Sequence, residues 1–233
     1  MKPVISFSVY GNIPKYTLGV IKNIEISNHI YPGWDIYVYH NNTVPQSIID
    51  QYKKYSHVTT FDMSGSNLPG MFWRFLVESE IFISRDADSR LSQREKFAVD
   101  EWIFSGKSLH VMRDHPAHNV IVVPGGMFGI RRSKINIDIT QTIERWLSGV
   151  SNKNDYGVDQ IFLRGIYSFY YERDDVMIHD SIGSFGDKSE PFPTKLDNQY
   201  HFVGEVFDEF DNRRQDHIQD WFCEKHKERL RKK

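Results

Sequence analysis

The chain is 233 residues long, 39% hydrophobic and 26% charged, with a formal net charge of −2. That length can bury one sizeable core, and the balanced charge gives no electrostatic case for nucleic acid as a partner. Its single cysteine, Cys223, excludes an intramolecular disulfide framework and a cysteine-rich zinc site, in keeping with a reducing, cytoplasmic compartment. No apolar run approaches the ~18 residues of a membrane span, and no signal-peptide core precedes the first strand.

Residues 4–9 read as a strand closed by Tyr10-Gly11, and 16–27 as a helix with Leu18, Ile21, Ile24 and Ile26 on its apolar face. A second strand at 34–39 follows the Pro32-Gly33 turn. A helix at 45–55 carries Ile48, Ile49 and Tyr52, and a short third strand lies at 58–61. Residues 70–79 read as a helix that delivers Arg74 just ahead of the strand Ile81-Phe82-Ile83. This alternation predicts an α/β protein whose parallel sheet carries helices on both faces. Ser92 with Glu95 three residues on is a capping box opening a helix over 93–104. A strand at 109–112 ends in Arg113-Asp114-His115-Pro116, and the apolar run 120–123 leads into Pro124-Gly125-Gly126-Met127-Phe128-Gly129. Helices are expected at 137–147 and 159–170, and a late strand at 176–178 leads to His179-Asp180-Ser181. Residues 184–199 read as loop, and a helix over 217–231 closes the chain. The basic residues Lys225, Lys227, Arg229, Arg231, Lys232 and Lys233 suit the negative end of that helix; weak attraction to an anionic membrane surface is the alternative.

The polar residues at the strand exits carry the chemistry. Ile81-Phe82-Ile83-Ser84-Arg85 is an apolar strand running into Asp86-Ala87-Asp88. In extended geometry residues two apart point the same way, so both carboxylates leave on one side. The carboxyl ends of central strands are where open α/β sheets bind ligands. Two hard oxygen donors there suit Mg²⁺ or Mn²⁺, which would also hold a phosphate; an acidic turn with no ligand has the same composition. His179 is the candidate third ligand, against an ordinary buried histidine. Arg74 and Arg85 are candidate diphosphate clamps, since a guanidinium matches phosphate oxygens in a bidentate way; either can instead pair with Asp86, Asp88 or Glu78. Gly125 and Gly126 allow close approach of backbone to a ligand, or simply a tight turn. Asp159 is either a helix cap or a carboxylate serving sugar hydroxyls or proton transfer. Asp114 and His115 form an acid–base pair, or a local hydrogen bond.

Together these residues resemble the nucleotide-sugar glycosyltransferases of the GT-A fold, and more narrowly a family of small viral and bacterial enzymes. One relative there is the first domain of a multi-domain chlorovirus glycosyltransferase that builds capsid glycans. The resemblance runs from Ile5 to about Asp211. It is carried by Phe72-Trp73-Arg74-Phe75, Ser84-Arg85-Asp86-Ala87-Asp88-Ser89-Arg90, Met112-Arg113-Asp114-His115-Pro116, Gly125-Gly126-Met127-Phe128-Gly129, Tyr156-Gly157-Val158-Asp159-Gln160, His179-Asp180-Ser181 and Phe202-Val203-Gly204-Glu205-Val206-Phe207-Asp208-Glu209.

It implies a mixed, mostly parallel sheet, with a transferase domain over 1–211 and a helical extension over 212–233. It also implies a UDP-sugar donor, a hydroxyl of a glycan or other acceptor, a Mn²⁺ (or Mg²⁺) ion, hexosyltransferase-type chemistry, and host cytoplasm if the chain is viral. On the same basis Asp88 is the main metal ligand, Asp86 lies at the ribose or on the metal through water, and His179 completes the site. Tyr10 and Gly11 hold the base, 125–129 faces the sugar and acceptor, and Asp159 is the sugar-side carboxylate. An inverting route needs a base, for which Asp114, His115 and Asp159 are candidates; a retaining route needs no separate one. The competing readings are a sugar-nucleotide pyrophosphorylase and a binding protein that has lost catalysis. The single glycine of Tyr10-Gly11-Asn12-Ile13-Pro14-Lys15 argues against the first, and the intact Asp86, Asp88 and His179 against the second.

Overall fold

A computed structural model describes residues 1–183 and 185–231, with side chains as far as Glu224; the side chains of the basic cluster from Lys225 to Lys233 lie outside the described ones. The runs rich in Val, Ile and aromatics form seven strands, β1 (Val4–Val9), β2 (Asp35–His40), β3 (Val58–Asp62), β4 (Ile81–Arg85), β5 (Leu109–Arg113), β6 (Met127–Arg131) and β7 (Val176–Asp180). They make one sheet in the order β3-β2-β1-β4-β6-β5-β7. β6 is antiparallel to both its neighbours, and every other pairing is parallel. The expected mixed, mostly parallel α/β sheet is therefore the observed one. β5 is buried along its whole length and β1 almost so, as strands covered on both faces must be.

The helices α1 (Pro14–Ile30), α2 (Gln46–Tyr52), α3 (Gly70–Trp73), α4 (Gln93–Ser105), α5 (Ile139–Ser148) and α6 (Val158–Tyr171) flank the sheet, and α7 (Gln215–Arg231) ends the chain. Val20, Ile24, Tyr52 and Trp102 from α1, α2 and α4 pack with Ile5, Phe7 and Ile83 in one core. Phe72, Ile143, Leu147 and Phe162 from α3, α5 and α6 pack with Phe82, Val111 and Phe128 in the other. Helices thus lie on both faces.

Three elements differ from the sequence reading. The helix at Arg74 stops at Trp73, because Phe75, Val77 and Ser79 are buried while Glu78 and Glu80 are exposed. That period of two demands extended chain rather than helix. The apolar run 120–123 leaves a 3₁₀ turn over Pro116–Val120, and the strand after the glycines is β6, which the sequence reading did not set out. β7 runs two residues beyond 178, which takes His179 and Asp180 into the sheet. The capping box before α4 is half formed. Ser92 Oγ accepts from the Glu95 N–H at 3.2 Å, but the Glu95 carboxylate turns inward to Arg85 and Tyr31.

The connections fix where a ligand can sit. From β1 the chain moves through α1 to β2 on one side, while β4 lies against β1 on the other. The carboxyl ends of β1 and β4 therefore border the crevice where strand order reverses. Residues 202–213 cross this edge: the Phe207 N–H donates to the Asp88 carbonyl at 2.8 Å, and Arg90 Nη2 to the Asp208 carbonyl at 3.2 Å. α7 then docks through Trp221, fully buried beside His115.

Candidate active site

β1 leaves the sheet through Gly11, whose φ of +76° is a left-handed conformation that glycine adopts without a Cβ penalty. Its N–H donates to Thr43 Oγ1 at 2.6 Å. β4 leaves through the turn bearing Asp86 and Asp88, closed by Ser89 N and Oγ bonding back to the Asp86 carbonyl at 3.2 and 2.9 Å.

Arg74 ties these exits together. Its backbone N–H donates to Ser8 Oγ on β1 at 2.8 Å. Its Nη1 pairs with Asp86, and its Nη2 reaches Asp159 Oδ2 at 2.8 Å. Asp159 lies in the first turn of α6, after Gly157 at φ +83°, where a carboxylate also complements the helix dipole. Burial opposes the Arg74 charge, but the Asp86 and Asp159 carboxylates outweigh it and raise its pKa. The two neighbouring glycines make room for this triad. A Cβ at Gly125 would stand 2.6 Å from both Arg74 Nη2 and Asp159 Oδ2, and one at Gly126 would overlap the Asp86 carboxylate. Ser84 Oγ fixes the turn by donating to the Gly125 carbonyl at 2.6 Å.

Asp88 faces a second cation. Its Oδ2 accepts from Lys15 Nζ at 3.1 Å, and that ammonium also lies 4.4 Å over the Tyr16 ring. Burial first, and the Asp86 carboxylate second, push the Asp88 pKa above its ordinary value. Tyr10 borders the cleft half-exposed, its ring edge-on to Trp73 at 5.8 Å and resting where a Cβ on Gly70 would collide. Tyr156, 95% exposed, projects within electrostatic reach of Asp86, Asp159 and Asp88.

The structure thus gathers Tyr10, Gly11, Arg74, Asp86, Asp88, Gly125, Gly126 and Asp159. It places four other expected site residues elsewhere. Arg85 is a strand residue whose side chain passes under α4, with Nε 2.8 Å from Glu95 Oε1, so it cannot clamp a diphosphate. Asp114 is fully buried and saturated, by Arg94 Nε and Nη2 at 2.7 Å each, by Ser181 Oγ and by the Val203 N–H at 2.8 Å. His115 accepts from the Ala117 N–H at its Nδ1, at 3.0 Å, and donates from Nε2 to the His217 carbonyl at 2.8 Å. Neither has a lone pair left for a substrate proton.

His179 is 0% exposed, hydrogen-bonded at 2.8 Å to His110 through Nδ1 and at 2.8 Å to Glu101 through Nε2. Its strand lies three positions from β4, about 14 Å at ordinary strand spacing, so it cannot share an ion with Asp88. Two partners were missed from the sequence, Lys15 and Ser84. Only Lys15 leaves a signal, a lysine in the first turn of a helix, where the dipole disfavours it.

Asp86 and Asp88 fit a divalent cation. Arg74 engages Asp86 through Oδ1 and Lys15 engages Asp88 through Oδ2, so each carboxylate keeps a second oxygen outside its ion pair. Among the described residues no group of three or more His, Cys, Asp or Glu side chains is arranged to hold a metal ion by itself. One or two carboxylates completed by water and phosphate oxygens is the ordinary way proteins hold Mg²⁺.

No protein-family model matches the chain, and no curated protein sequence does. Solved structures do. Residues 1–349 of S. aureus TarS match at TM-score 0.50 and 10% identity, over 78% of this chain and 58% of that one. The galactosyltransferase LgtC, in complex with donor and acceptor sugar analogues, matches at 0.49 and 14%, over 77% and 73%. A 4-diphosphocytidyl-2C-methyl-D-erythritol synthase from Anaerococcus prevotii matches at 0.48 and 12%, over 76% and 86%. At such identities the likeness speaks to architecture alone, a Rossmann-like, mostly parallel α/β sheet of the GT-A type.

Proposed function

We propose that this chain is a divalent-metal-dependent glycosyltransferase that moves a hexose from a nucleoside-diphosphate sugar, a UDP-sugar before others, to a hydroxyl of a glycan acceptor. The observation that carries this reading is the convergence of Asp86, Asp88, Arg74 and Asp159 on Gly125 and Gly126 at the β1/β4 crevice. In the proposed reaction the bond between the anomeric carbon and the phosphate oxygen breaks, its electron pair leaving with the diphosphate. An acceptor oxygen forms the new bond to that carbon and loses its proton. Asp86 and Asp88 would hold a Mn²⁺ or Mg²⁺ ion, which would supply the charge neutralisation that the departing diphosphate needs.

The chain's own groups do the positioning. Arg74 has both Nη atoms committed to carboxylates, so its part is to hold Asp86 and Asp159 in register rather than to grip phosphate. Asp159, with Asp114 and His115 locked into the fold, is the carboxylate left to orient sugar hydroxyls or take a proton. Tyr10 offers a half-exposed ring to a base or sugar. The catalytic unit is assigned to residues 1–211, with 212–233 as a helical extension. Kinship with the small viral and bacterial enzymes is part of this proposal and is supported by the motifs quoted above.

Calorimetric titration of UDP and GDP, with and without Mn²⁺, into wild type and Asp88→Ala tests it. The expected result is UDP binding that requires Mn²⁺ and is lost in the variant, followed by sugar release from a UDP-sugar. Nucleotide binding that ignores both Mn²⁺ and Asp88 would sink the proposal.

A further inference from the structure

Lys15 is the loosest member of the carboxylate cluster. Arg74 is pinned, with its side chain 10% exposed, both Nη atoms paired and its backbone bonded to Ser8. Among the described residues Lys15 makes one ion pair, from Nζ to Asp88 Oδ2, and its side chain is 34% exposed. It occupies the second position of α1, whose first turn carries no acidic residue. A cation there works against the helix dipole, so helix formation does not account for it. An ammonium on a flexible four-carbon stem can also leave one anion for another nearby, which a buried guanidinium fork cannot.

We infer that Lys15 is an exchangeable counter-ion for Asp88, which it yields to a divalent cation as it moves onto the diphosphate that accompanies the metal. The inference rests on the function proposed above. Without nucleotide, a metal ion on the free Asp88 oxygen sets new positive charge beside the ammonium, weakens its hold on the carboxylate and offers it no other anion. With a diphosphate present, the displaced ammonium gains a new anion. Lys15 thereby makes metal and nucleotide binding depend on each other, a coupling that works equally in both directions. Tyr16, whose ring lies 4.4 Å beneath the ammonium, offers it a weakly attractive face along the way.

The test measures that coupling directly. Mn²⁺ is titrated into wild type, Lys15→Gln and Lys15→Arg, followed by the spin resonance of free Mn²⁺; UDP is then titrated calorimetrically with and without Mn²⁺. Lys15→Gln is expected to bind Mn²⁺ alone about fivefold more tightly than wild type, and Mn²⁺ with UDP about tenfold more weakly, so that the coupling shrinks. Lys15→Arg, which keeps the charge, is expected to retain most of it. The same coupling in Lys15→Gln as in wild type would overturn the role of Lys15 while leaving the proposed function standing. Absence of Mn²⁺-dependent nucleotide binding in wild type would overturn both.

Discussion

The Arg74–Asp159 pair permits a quantitative test of how the site is built. Asp159 is 4% exposed at its side chain, and Arg74 is its partner; Asp86, on the other Nη, is 44% exposed. Arg74→Ala strands a buried carboxylate, which costs about 3–5 kcal/mol. The half-solvated Asp86 adds at most about 1 kcal/mol. In Arg74→Ala/Asp159→Asn the stranded charge is gone, so a double-mutant cycle should return a coupling of about 2–3 kcal/mol. The corresponding cycle with Asp86→Asn should return less than about 1 kcal/mol. The assay is urea unfolding at pH 7.5, followed by fluorescence of the five tryptophans. The loss in Arg74→Ala should also shrink as the pH is lowered, because a buried unpaired carboxylate binds a proton more readily when folded than when unfolded. Additivity of Arg74→Ala and Asp159→Asn within about 0.5 kcal/mol would refute the reasoning.

Other outcomes follow from the same geometry. Gly126→Ala has no unfavourable φ to contend with but displaces the Asp86 carboxylate; Mn²⁺-dependent UDP affinity should fall at least about tenfold, with unfolding free energy changed by less than about 1 kcal/mol. His179→Asn should leave that affinity within about twofold of wild type while lowering stability by about 1–3 kcal/mol, since it leaves buried His110 without its partner; equal loss of binding in His179→Asn and Asp88→Ala would restore His179 to the site. Burial lowers the pKa of His110, His115 and His179, and that of His118 to about 3. The unfolded chain therefore takes up more protons below about pH 6.5 than the folded one, so these groups make stability fall as pH falls, each by up to about 1.4 kcal/mol per unit. Urea midpoints at pH 7.5, 6.5 and 5.5 check this, and His118→Gln should flatten the slope.

The sequence by itself determined the parts of this protein that depend on local pattern. Apolar runs bounded by turn residues located β1 to β5, and the β-α alternation set helices on both faces, because period and connection length constrain a sheet before any packing is known. The same pattern brought Asp86 and Asp88 to a strand exit, since two-residue spacing in extended chain is a local property. What only the tertiary structure decided was which polar groups had already found partners. Arg85, Asp114, His115 and His179 stand at or near strand ends just as Asp86 does, and nothing local distinguishes them. Their partners are Glu95 for Arg85, Arg94 and the Val203 N–H for Asp114, the His217 carbonyl for His115, and His110 with Glu101 for His179. Several of these come from remote segments, and a buried polar group is committed by such partners rather than by its own position in the chain. The reversal of β6 and the docking of residues 202–213 on the Asp88 turn are long-range pairings of the same kind. Lys15 shows both sides: its place at a helix start is written in the sequence, but the carboxylate that explains it arrives from β4, across the crevice.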